Sequence, residues 1–171
     1  LTRVVRARDA AGRVTCVTQR RFVDMSQPHL AALEIAIVGE NWSGPIEVRS
    51  ALDGTVTNSG VARYQGLRCD HLVPVEQGAV DDDGAYVQVQ TRQSHIFVAE
   101  AARTRVMIDR RSVSDPPQVF ATPGHVEQAW SVEVEQGASL TVEKVVALHT
   151  SRDYAISEPG LAASAAIEDV G

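Results

Sequence analysis

Three sets of residues have types and spacing that could do chemistry. Asp81-Asp82-Asp83-Gly84 resembles the glycine end of a calcium loop. An EF-hand loop needs acids at alternate positions before its Gly and a bidentate Glu six residues after it. Those two places hold Ala79 and Gln90, so the stretch reads as an exposed acidic turn. The five histidines, His29, His71, His95, His125 and His149, show no HxH or HExxH pattern. Strands can bring such residues together from a distance, but nothing in their spacing specifies a metal site. Asn41-Trp42-Ser43 is a glycosylation sequon, and Trp42 could be a sugar-stacking platform or a plug for the edge of the fold. No Ser lies in a GxSxG elbow and no Gly-rich loop opens a helix. Eleven Asp and eleven Glu would supply a glycosidase pair, but linear order does not show which acids face each other across a cleft. The residues alone therefore name no catalytic residue, no cofactor ligand and no metal ligand.

Composition narrows the function classes. The 171 residues suffice for one domain, and 44% apolar with 22% charged residues is ordinary for a globular one. A net charge of −6 argues against a nucleic-acid partner. No apolar run approaches the roughly 20 residues that span a bilayer, so no membrane segment is expected. "LTRVVRARDAAGR" has no apolar h-region and no initiator Met, and it opens in mid-strand, as a piece of a longer chain would. Arg3, Arg6, Arg8, Arg13, Arg20 and Arg21 crowd the first segment, whereas Lys144 is the only lysine. The arginines read as the solvated face of a hairpin, and their excess over lysine matches a GC-rich bacterial source. Cys16 and Cys69 both fall in strand-like runs and read as buried free thiols.

The elements that must position any site are strands. "TRVVRAR" and "RVTCVTQRRF" flank the turn Asp9-Ala10-Ala11-Gly12. "LAALEIAIV" reads as a buried strand, and "GPIEVRSAL" as a half-buried one ending in a turn at Asp53-Gly54 with a second short strand beyond. "RCDHLVPVEQ", "AYVQVQTRQ", "SHIFVAEAARTRVMI", "VEQAWSVEVEQ" and "SLTVEKVVALHT" follow, with Trp130 expected in the core. About ten strands with almost no helical period indicate an all-β antiparallel sandwich or barrel. The Ala-rich tail after Pro159-Gly160 reads as the first turns of a helix leading elsewhere.

"NWSGPIEVRSALDGTVTNSGVARY", "TRQS" at 91–94, "VAEAARTRV" at 98–106 and "VEKVVALHTSRD" at 142–153 together resemble one family. Gln19–Met25 and His29–Leu33 add two further matching pieces, in the expected order. The chain is similar to the N-terminal domain of glycoside hydrolase family 65, which holds inverting phosphorylases of trehalose, maltose and kojibiose and related hydrolases. The resemblance implies a two-layer β-supersandwich of galactose mutarotase-like type over residues 1–155. It also implies the start of a helical linker over 156–171, leading to an (α/α) barrel that these residues do not include. The family's catalytic Glu and phosphate-binding residues belong to that barrel, so none is carried over here. Inorganic phosphate would be the co-substrate of the parent if it is a phosphorylase, and no other cofactor is implied. The resemblance further implies a cytoplasmic bacterial homodimer acting on an α-glucoside, with neither nucleic acid nor membrane as partner.

On this reading the sequon is without consequence, and the polar residues past the turn exceed what a hairpin requires. Trp42, Arg49, Asn58, Arg63, Tyr64 and Arg152 are the expected contacts to the rest of the enzyme. Such contacts should stand exposed with few partners when the domain is seen alone. Two rival readings stay open: a free-standing carbohydrate-binding module, and mutarotase-like catalysis by a His and a Glu of the sandwich itself.

Overall fold

The structure, a computed structural model, describes residues 1–57, 70–153 and 157–168. It is built from β1 (Thr2–Arg8), β2 (Val14–Val23), β3 (Leu30–Gly39), β4 (Gly44–Asp53), β5 (Leu72–Val80), β6 (Gly84–Thr91), β7 (Phe97–Ile108), β8 (Arg111–Ser112), β9 (Gln118–Thr122), β10 (His125–Val134), β11 (Ser139–Thr150) and one helix, α1 (Pro159–Glu168). The large sheet runs β1-β2-β3-β11-β7-β6-β5 with β8 paired to β7, and a three-stranded sheet runs β4-β10-β9. Every described pairing is antiparallel. The fold is therefore an all-β two-layer sandwich, one of the two architectures that the alternation left open and the one that the family resemblance implied.

The two sheets meet through residues that alternate along their strands. Val48, Val106, Trp130, Val132, Val134 and Leu140 form one cluster. Leu52, Ala85, Val87, Val89, Ala102 and Val126 form a second. Trp130 is 7% exposed, as its place on an alternating strand required. The small sheet lies over β5, β6 and β7 and reaches Leu140 on β11, and beyond β11 the inner face of the large sheet is only partly covered. This is why "LAALEIAIV" departs from expectation. It forms β3, but all its residues up to Val38 are only half-buried.

The opening hairpin forms as its turn predicts. Asp9 accepts bonds from the backbone N–H groups of Ala11 and Arg13, each at 2.9 Å, and Gly12 takes φ 81°. The six arginines of this segment are exposed, and Cys16 is a half-buried free thiol. Cys69 lies outside the described residues. The turn at Asp53-Gly54 differs from expectation. β4 pairs along its whole length with β10, and the Gly54 N–H donates to the Gly124 carbonyl at 2.8 Å. Residues 54–57 form no strand, and the short strand expected further on falls outside the described residues.

The tail forms a helix as read, but its described part turns back on the large sheet instead of leading away. Ala163 and Ile167 pack against Ala99, Ala101 and Ala147 on the face opposite the small sheet. Alanine at those three sheet positions is what lets the helix approach, because β7 and β11 are then covered on both faces.

Candidate functional site

The loop after β3 uses all three residues of the sequon internally. The Asn41 carboxamide accepts from the Val14 N–H at 2.7 Å and donates to the Gly12 carbonyl at 3.1 Å. The Trp42 indole N–H is shared between the Val14 carbonyl at 3.1 Å and Thr15 Oγ1 at 3.0 Å. Its ring lies against Gly39, where a Cβ would sit 2.9 Å from the ring carbon Cε2. The Arg13 guanidinium stands 5.8 Å from the ring centroid. Ser43 Oγ accepts from the Gln136 N–H at 2.8 Å. Trp42 was expected to be exposed with few partners. It is half-buried and partnered instead, because its indole N–H finds two acceptors on β2 at the rim of the large sheet.

The two other expected contact residues that the structure describes, Arg49 and Arg152, do not gather around Trp42. Arg49 is exposed on β4, with its guanidinium 2.6 Å from Glu47 and 3.5 Å from Glu127. Those two carboxylates hold its pKa above the usual arginine range, Glu47 first by a side-chain hydrogen bond. Arg152 is exposed in the turn after β11, and its backbone N–H donates to Thr150 Oγ1 at 3.2 Å. The Gly137 N–H bonds to the Gly39 carbonyl, so Trp42 lies beside the start of β11 and Arg152 beyond its end. A strand of that length separates them by roughly 35 Å or more. Asn58, Arg63 and Tyr64 lie outside the described residues.

Two arrangements were not legible from spacing. The first is the bare wing of the large sheet formed by β1, β2 and the start of β3. Phe22 is 66% exposed, Val23 65% and Met25 90%. Leu1, Val23, Ala31, Leu33 and Val146 line a shallow apolar depression beside them. At its margin the lone lysine, Lys144, reaches under the small sheet and donates to the Ala51 carbonyl at 2.8 Å. Burial lowers the Lys144 pKa and raises that of Glu100, and the attraction between the two partly offsets both shifts.

The second arrangement lies at the far end of β11. Leu30 pairs with Ala147, so His29 lies beside Leu148 and His149 across 120 residues of chain. The two imidazoles stack, with centroids 4.0 Å apart and planes at 16°. The His29 Nδ1–H donates to the Leu148 carbonyl at 2.8 Å. An Asp153 carboxylate oxygen lies 4.0 Å from that nitrogen and accepts the Thr150 N–H at 2.6 Å. His149 is 8% exposed, and both of its ring nitrogens are buried without a hydrogen-bond partner. Burial lowers its pKa, His29 lowers it further, and Asp153 works the other way.

None of this makes a mutarotase-like pair. Glu100 pairs with Leu148 and Ala99 with His149 in the ladder, so Glu100 and His149 project from opposite faces of the large sheet. The acidic turn is structural as well. Asp83 lies 3.1 Å from the Arg103 guanidinium and 3.6 Å from that of Arg105.

Comparison with known proteins settles the class. Residues 1–171 match the family profile described as "Glycosyl hydrolase family 65, N-terminal domain". The chain belongs to that family. It is 39% identical over 171 residues to an uncharacterized glycosyl hydrolase of Mycobacterium tuberculosis, covering 100% of this chain and 13% of the relative. It is 29% identical over 153 residues to the kojibiose phosphorylase of Halothermothrix orenii, covering 90% of this chain and 19% of that protein. A solved kojibiose phosphorylase-like chain from the human microbiome has the same fold at a TM-score of 0.77 and 13% identity. The match covers 99% of this chain and 20% of the solved one. The chain thus spans a fifth or less of the relatives it resembles. Among the described residues no helix is long and apolar enough to cross a membrane.

Proposed function

We propose that this chain is the non-catalytic N-terminal domain of a cytoplasmic bacterial enzyme, an inverting α-glucoside phosphorylase or hydrolase, and that its work is to brace the catalytic domain. In such an enzyme an acid protonates the glycosidic oxygen while phosphate or water attacks from the opposite face. The family supplies the reaction class. The observation that carries the bracing role is the wing of β1, β2 and β3, where Phe22, Val23 and Met25 face solvent around an apolar depression. Contiguous exposed apolar surface of this kind marks a contact with another protein surface. We assign the wing, rather than the Trp42 corner, as the main contact with the catalytic domain. Arg49 and Arg152 serve at most as outlying contacts.

The test replaces Phe22 and Val23 by Ser in the intact enzyme. Burying two such side chains is worth about 3–5 kcal/mol, so the variant should melt earlier and lose phosphorolytic or hydrolytic turnover of kojibiose, maltose or trehalose. The same substitutions in the 171-residue chain should leave its stability almost unchanged, since both side chains are largely exposed there. An intact variant that melts and turns over like the parent would refute the assignment. A stacking platform for sugar at Trp42 finds no support, because the indole N–H and one ring face are already engaged.

A further inference from the structure

His29, His149 and Asp153 come from three separate places: the segment before β3, the end of β11 and the turn that follows it. We propose that they form a binding site for a divalent transition-metal ion of the zinc class. Their candidate ligand atoms all lie within 4.8 Å of one another, and no second such gathering of three occurs among the described residues. This inference stands apart from the bracing role of the wing, which occupies another part of the sheet.

The state of His149 is the main argument. A neutral imidazole always carries one N–H and one lone pair, and a ring 8% exposed with neither satisfied is rare in a folded protein. An ion at one ring nitrogen would give the lone pair its partner.

The partners are oriented for the same task. His29 gives its Nδ1–H to the Leu148 carbonyl, which fixes the tautomer and leaves the Nε2 lone pair available. A metal-bound histidine usually has its other ring nitrogen held in this way. The Thr150 N–H likewise fixes one oxygen of Asp153. Two imidazoles and one carboxylate suit zinc, cobalt, nickel or copper, whereas calcium and magnesium ask for six or more oxygens.

Geometry sets what must move. Metal–ligand bonds of about 2.0–2.1 Å in a tetrahedral shell place ligand atoms roughly 3.4 Å apart. The present spread, up to 4.8 Å, must therefore contract by roughly 1–1.5 Å at its widest. Asp153 lies 4.0 Å from the His29 Nδ1 that is bonded to Leu148, so the His29 ring must also turn, and the stacked planes tilt, before its Nε2 lone pair and that of His149 converge on one ion. His29 can make that motion, because its side chain is 36% exposed and holds a single bond to Leu148. Its open side leaves room for water as a fourth ligand. The bound ion would tie the turn at residues 150–153 to the start of β3.

The experiment titrates cobalt(II) into the intact protein, purified without a polyhistidine tag and stripped with chelator. His29→Ala and Asp153→Asn are the variants, since both side chains are at least a quarter exposed and their loss leaves the core intact. The expected result is a visible d–d absorption at 500–650 nm that saturates at one equivalent and is displaced by zinc. Either variant should lose that band or weaken binding by about 100-fold or more, beyond the roughly 10–100-fold typical of lost outer partners. Zinc should also raise the melting temperature of the parent but not of His29→Ala. The proposal is overturned if the parent shows no such band, or if both variants bind cobalt as the parent does.

Discussion

Replacing Ile167 by Ala tests how firmly the helix belongs to the sandwich. Ile167 is fully buried against Ala99, Ala101, Ala147 and Ala163. The substitution removes three carbons, worth about 2.4 kcal/mol at about 0.8 kcal/mol each. Its fully buried neighbours are alanines, which have no further side chain to swing into the space, while Leu30, Val80 and Tyr86 at the margin of the cluster can close part of it, so the cost lies within about 2–5 kcal/mol. One competing effect limits this. A ten-residue helix is marginal in water on its own, so a helix that undocks also unfolds, and the loss cannot exceed the free energy of docking. A loss of about 2–4 kcal/mol is therefore expected in urea denaturation. Hydrogen exchange separates the two cases, because undocking would strip protection from residues 159–168 while β7 and β11 stay protected. Ile167→Val should cost only about 0.5–1.5 kcal/mol. A loss under about 1 kcal/mol for Ala, with helix protection unchanged, would refute the packing argument.

Two further outcomes follow from the polar groups. Lys144→Met removes the bond to the Ala51 carbonyl and leaves Glu100 without its compensating charge. It should destabilise the fold by about 1–3 kcal/mol in denaturant titration, and adding Glu100→Leu should recover part of that loss. Asp53 accepts from both the N–H and the hydroxyl of Thr55, the hydroxyl bond being the larger influence, and its pKa is held below 3.8. Because the folded pKa is the lower one, this stabilisation is present above about pH 4 and is lost as pH falls through the folded pKa. The advantage of the parent over Asp53→Asn should accordingly hold at about pH 6 and fade below about pH 4 in thermal melts. A difference independent of pH would refute the charge-based account.

The layered sandwich was legible wherever one face of a strand meets the core. Val87 and Val89 against Gln88 and Gln90, or Val132 and Val134 against Glu133 and Glu135, show their buried face directly. β3 looked buried because its run is mainly apolar, yet the partial overlap of the two sheets leaves it half-covered. How far one sheet overlaps another is not encoded in local periodicity. β9 went unseen because all five of its residues are exposed at the edge of the small sheet, so no alternation marks it. The histidine pair was hidden for a different reason. Only the register of Leu30 with Ala147 brings His29 to His149, and no spacing along the chain records a ladder between residues so distant. Trp42 was placed correctly in a loop, but its partners Val14 and Thr15 lie 28 and 27 residues away.

The arginines of the first segment gain a meaning from their place in the ladder. β1 is the outermost strand of the large sheet, with every residue exposed. Among the described residues no strand pairs with its outer edge, and such an edge offers N–H and C=O groups as a template on which chains associate strand to strand. Arg3, Arg6 and Arg8 lie along that edge, and among them Arg6 is anchored to Glu40 at 2.6 Å. A second chain approaching in register would bring like charges together and strip their water. The cluster thus guards the sheet against growth by aggregation while leaving its apolar face free for a chosen neighbour.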